Sequence, residues 1–220
     1  MQGRWNAAGM SAERFLYAPD AYVATNPADI VRRYPFALLI TTGPAGLLAS
    51  SAPLFFETDS TERAMIGHLA RANPQAASLA AGQNALAIFC GPHAYISSSW
   101  YREKPTVPTW NYLSAHVRGT LVPIDDDARQ LEVLRRTAAV MEHANTPPWT
   151  LEDAPPGRVE FLLPKIRSFR FSVEQIEGVT KLSQTHPPAD RQRVIKQLRA
   201  RDGDGDAAIA RLMSALELTQ

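Results

Sequence analysis

Between Leu113 and Leu121 the apolar residues (Leu113, Ala115, Val117, Leu121) take odd positions, and Ser114, His116, Arg118 and Thr120 take even ones. That two-residue period predicts a strand with one face buried. Phe169, Phe171 and Val173 alternate with Arg170, Ser172 and Glu174 in the same way. Phe36–Thr41 and Asn84–Cys90 are apolar nearly throughout, the pattern of strands covered on both sides. Gly46–Glu57 resumes after a Gly-Pro turn and predicts a hairpin with the strand before it. Arg63–Leu69 reads as a third strand, and His93–Ser97 as a further one after a break at Gly91-Pro92.

Helical spacing is confined to a few places. Pro74–Ala80 predicts a short helix capped by Asn73, with Pro74 at the first position, where its missing N–H is harmless. A longer helix runs from Asp125–Asp127 to about His143, with Leu131, Leu134, Ala138 and Met141 on one face. Asn145–Gly157 holds four prolines and predicts loop, followed by a short helix at Arg158–Leu163. Two helices close the chain, Arg191–Ala200 and Ala207–Leu218, joined by Asp202-Gly203-Asp204-Gly205-Asp206. Strands come first and helices last, without βαβα alternation, so a doubly wound sheet is excluded. Six or seven strands with Gly/Pro turns predict a mainly β fold with α: a barrel with peripheral helices and a helical C-terminus. The expected organisation is an extension over residues 1–12, a barrel over 13–186 and a helical segment over 187–220.

Composition changes little of this. At 220 residues, 45% hydrophobic, the chain can bury a core without staples. Its one cysteine, Cys90, excludes an intrachain disulfide, and neither a signal peptide nor a membrane-spanning run is evident, so the cytoplasm is expected. Net charge is +1, but Lys181–Arg201 holds six basic residues and one acid, +5 locally, leaving −4 elsewhere. Such a segment suits phosphates or a solvated helix face.

Three segments could carry chemistry. Gly91–Tyr112 concentrates Tyr95, Trp100, Tyr101, Trp110 and Tyr112 with Ser97–Ser99 and Lys104; aromatics at this density can wall a flat ligand, fill a dimer interface or simply be core. Gly67–Gln75 sets His68 and Arg71 before a helix start at Asn73-Pro74, a combination suited to an anion. Gly178–Gln184 reads as a glycine turn followed by Lys181, Ser183 and Gln184, donors without a competing carboxylate.

In this order, G-H-L-A-R-A-N-P-Q, then I-F-C-G-P-H-A-Y-I-S-S-S-W-Y-R-E-K-P-T-V-P-T-W-N-Y, then I-E-G-V-T-K-L-S-Q resemble the PaiB-type FMN-binding negative transcriptional regulators. The resemblance begins at F-L-Y-A-P around Tyr17 and reaches the C-terminal helices. It implies a split β-barrel related to pyridoxamine-phosphate oxidases and flavin reductases, dimeric, with FMN between the subunits. It places His68, Arg71 and Asn73 near the flavin phosphate or ribityl chain. Lys104, Thr109 and Asn111, with Tyr95, Ser97 and Trp100, line the site, and Lys181, Ser183 and Gln184 approach it. The chain departs from the family pattern at Ser51, Ser98, Thr185 and His186.

No nucleophile elbow, zinc motif, P-loop or dinucleotide fingerprint is present. The flavin would supply any redox chemistry, which keeps a flavin- or deazaflavin-dependent oxidoreductase as the alternative. A haem protein ligated through His93 or His116 is a third reading. DNA contact gains no support from the acidic interhelical tract, which would repel phosphates. That tract also fails as a calcium loop, with Ala207 at the turn-glycine position and Met213 at the twelfth.

Overall fold

A computed structural model describes residues 14–58, 61–102, 107–201 and 203–217. Six antiparallel strands close into a barrel in the order β1-β2-β3-β6-β5-β4. They are β1 (Phe36–Gly43), β2 (Gly46–Thr58), β3 (Thr61–Ala70), β4 (Gln83–Ile96), β5 (Thr109–Ile124) and β6 (Ile166–Lys181). Closure leaves no unpaired edge. Leu39, Leu54, Met65, Phe89, Val117, Leu121, Phe169 and Phe171 fill the barrel and are fully buried. The apolar runs of β1 and β4 alternate as well, with Phe36, Leu38 and Cys90 exposed, so these two strands are not covered on both sides as expected.

Among the described residues six α-helices surround it: α1 (Pro27–Arg33), α2 (Pro74–Ala77), α3 (Asp127–Glu142), α4 (Arg158–Leu162), α5 (Pro188–Arg201) and α6 (Asp206–Glu217). Among the described residues none is long and apolar enough to cross a membrane. Val194, Ile195 and Leu198 of α5 and Ile209, Ala210 and Met213 of α6 belong to the same buried cluster as the barrel interior.

Several expectations need correcting. Gly91-Pro92 does not break the sheet: β4 runs through it, absorbing the proline in a shift of register between Cys90 and His93. Gly178 is no turn either, since β6 continues to Lys181. Its lack of a side chain serves a close approach, because a Cβ there would meet Pro27 Cβ at 2.8 Å and Ala24 Cβ at 3.0 Å. This lets the Ala24 N–H donate to the Gly178 carbonyl at 2.9 Å, tying the N-terminal segment to β6. The helix at Pro74 is one turn, ending at Ala77.

The buried face of α3 is also rotated from the expected one. Gln130 and Val133 are buried while Met141 is 41% exposed. Val133 packs on Phe55 and Ile66 of the barrel's outer surface. The buried Gln130 Oε1 accepts the Ser168 N–H at 3.3 Å, and this polar anchor is invisible to a hydrophobic period.

Candidate functional site

Arg71, Asn73 and His68 lie at the end of β3 and the start of α2. Asn73 caps α2: its Oδ1 accepts the Gln75 N–H at 2.9 Å and its Nδ2 donates to Ser50 Oγ at 2.8 Å. Gln75, buried, donates to the Leu39 carbonyl and Thr41 Oγ1, both at 3.0 Å, so α2 plugs this end of the barrel. Arg71 is exposed; its Nε donates to the Pro164 carbonyl at 2.9 Å, which orients the guanidinium beside the α4 segment. His68 sits within β3, opposite Ser168 of β6. Opposed residues share a face of the sheet. His68 Nδ1 and Ser168 Oγ are both buried without a protein partner. Burial holds the His68 imidazole below its ordinary pKa, so it is neutral at pH 7. Ser50 belongs with this group. Its only sequence signal is a serine in the hairpin strand that pairs with Leu39.

The second group gathers where β4, β5 and β6 end together. The register sets Tyr95 opposite Trp110, Ile96 opposite Thr109 and Tyr112 opposite Lys181. Lys181 Nζ donates to Thr109 Oγ1 and lies 5.6 Å from the Tyr22 ring centre. Trp110 meets Tyr95 edge-on at 5.8 Å and His93 at 5.9 Å. Beside them His93, Trp110, Tyr112, His116, Ile88 and Cys90 border an open apolar hollow of about 500 Å³.

Other members of this group are turned inward. Asn111 and Ser183 are buried and exchange hydrogen bonds at 3.0 and 3.2 Å, with the Tyr101 hydroxyl 3.3 Å from Ser183 Oγ. Ser183 holds φ 60°, the one non-glycine residue with positive φ among those described. Gln184 Nε2 donates to the carbonyls of Ala21 and Thr180, and its Oε1 accepts the Leu182 N–H. These three side chains therefore build the turn that aims Lys181 and fixes the end of β6. Ser97 Oγ caps the short turn Ser98–Trp100 by accepting the Ser99 N–H. The Trp100 ring lies under the Arg201 guanidinium at 5.0 Å. Lys104 lies outside the described residues.

The two groups are far apart in one chain. Ser168, beside His68, and Lys181 stand at opposite ends of β6, thirteen residues apart. That is roughly 40 Å of strand at about 3.3 Å per residue.

The closed six-strand antiparallel barrel is a split-barrel fold. Two solved structures share it: the flavocytochrome Anf3 from Azotobacter vinelandii (12% identical, 72% of this chain and 67% of that chain, TM-score 0.55) and the FAD and heme binding protein from Mycobacterium smegmatis (16%, 73% and 73%, TM-score 0.54). Residues 16–175 match the family described as "Putative FMN-binding domain". The "Protease synthase and sporulation protein PAI 2" of Bacillus subtilis (strain 168) is 33% identical over 202 residues, 90% of this chain and 96% of that protein. The chain belongs to the PaiB-type FMN-binding family, and FMN is its cofactor.

Proposed function

We propose that two copies of this chain hold FMN between them, the Arg71 group of one facing the Lys181 group of the other, and that the complex acts as a flavin-dependent negative regulator of transcription in the cytoplasm. The observation that carries the composite site is the length of β6: one mononucleotide cannot span both groups within a single chain. An apolar outer face supports pairing. Phe36 and Leu38 of β1 are 67% and 39% exposed, and the register continues from Leu38 to Ile88 and His116. Contiguous exposed apolar surface of this kind marks an interface.

The residues fit the cofactor. The Arg71 guanidinium offers paired donors to a phosphate, which a lysine could not match. Trp110, Tyr95 and His93 offer aromatic faces to a flat ring, and Lys181 a positive charge near its polar edge. His68, held neutral, can accept or donate one hydrogen bond without adding charge. Bound FMN would supply a redox-active ring; the protein supplies orientation and dry walls. The regulatory half is supported by the relation to the Bacillus subtilis sporulation protein.

Titrating FMN with the purified protein, read by flavin fluorescence, should give saturable quenching at one FMN per chain in a dimeric species. Absence of quenching at high protein concentration sinks the flavin reading. A salt-dependent mobility shift of promoter DNA tests direct regulation separately.

A further inference from the structure

We propose that the groove between α1, β2 and α3 is a second small-molecule site, selective for an organic acid with an apolar body. The groove encloses about 460 Å³, within the range of small-molecule pockets. It lies on the outer surface of the barrel and shares no residue with the Arg71 and Lys181 groups. Phe55, Phe56 and Pro35 form its floor, and Ala139, Val140 and Met141 one wall. Its charged lining has one sign: Arg32, Arg33 and Arg136 border it beside the His143 ring, and no carboxylate does among the described residues.

These cations are not equivalent. Arg32 is neutralised from outside the groove by Asp29 at 3.1 Å and Glu62 at 2.7 Å, and stacks over the Phe56 ring at 5.1 Å. Arg33 lies over the Tyr34 ring at 5.7 Å and has no ion pair among the described residues. His143 anchors its ring by donating its Nδ1–H to the Val140 carbonyl at 2.8 Å. A carboxylate at Arg33 with an apolar body against Pro35, Val140 and Met141 satisfies both halves of the groove. A neutral analogue would forgo the ion pair with Arg33, and a cationic one would be repelled.

The probe is 2-naphthoate, compared with 2-naphthamide and 2-naphthylmethylammonium, by isothermal titration calorimetry on the full-length FMN-loaded protein. Saturable naphthoate binding is expected, with the amide at least tenfold weaker and the ammonium undetected. Arg33→Gln should weaken naphthoate about tenfold, and Ala139→Phe, which fills the groove, should abolish binding. FMN affinity should stay unchanged in both variants, which shows that they are folded and separates this site from the flavin site. Equal affinity for acid and amide, no saturation at millimolar naphthoate, or Arg33→Gln binding like the native protein would each overturn the proposal.

Discussion

At Arg71 the exposed guanidinium is held by one bond to the Pro164 carbonyl, so the side chain is oriented before any phosphate arrives. Arg71→Ala should therefore weaken FMN binding by about 1.5–3 kcal/mol, the worth of a charge-assisted hydrogen bond, at little cost in stability. A fluorescence titration with a thermal melt reads both. Gly205 holds φ +80°, and a Cβ on it would stand 2.3 Å from the His93 carbonyl oxygen. Gly205→Ala should destabilise the fold by about 1–3 kcal/mol or more by prising the α5–α6 loop from β4, measured by urea denaturation. The same loop is closed by Arg201, whose guanidinium pairs with the buried Asp206 and holds that carboxyl below the usual carboxylate range. His68 and His116 are both lowered by burial. The unfolded chain therefore binds more protons than the folded one once pH falls below about 6.5, and stability drops there. His68→Gln should flatten part of that decline in melting temperature between about pH 6.5 and 5. A slope unchanged from the native protein would remove His68 as its source. Below that window Asp125 and Asp206, whose carboxyls are lowered by Arg167 and Arg201, lose their partners on protonation, and stability falls again.

Among the elements, α5 shows how a helix of mixed composition is sorted by its surroundings. Leu198 is fully buried between barrel and α6, whereas Lys196 is exposed. Leu198→Ala should cost about 2–5 kcal/mol in denaturant unfolding, and Lys196→Ala less than about 0.5 kcal/mol. The strands of the barrel were legible where their alternation is strict, as at Leu113–Leu121, and because Gly43-Pro44 marks the hairpin; in β1 the outward Phe36 and Leu38 are themselves apolar and hide the period. The one-turn α2 was legible from Asn73-Pro74, which does cap it. What the pattern hides is tertiary. Helix α1, seven residues long after Asn26-Pro27, is too short to show a period, yet it buries Ala28, Ile30 and Val31. The α3 face is misread because Gln130, a polar residue, occupies a buried position opposite Ser168. Gly178 looks like a turn because the segment that packs on it, around Ala24, lies far away in sequence.

For the whole molecule, the candidate residues were legible as three motifs, but not their separation. Sequence proximity cannot show that β6 carries Lys181 to the far end of the barrel from His68 and Arg71, nor that Asn111, Ser183 and Gln184 spend their polar atoms on each other and on the backbone. In the proposed dimer the exposed Phe36 and Leu38 form part of the contact face. A charge there should split the pair: Leu38→Asp is expected to run as a monomer in analytical ultracentrifugation and to lose FMN with it. The most direct test of the composite site uses co-expressed Arg71→Ala and Lys181→Ala chains, each weakened for FMN alone. Random pairing makes half of the dimers mixed, and a two-fold interface then restores one intact site in each. A tight class of about a quarter of all sites should appear in the FMN titration. If no tight class appears, each site lies within one chain, and the account is contradicted.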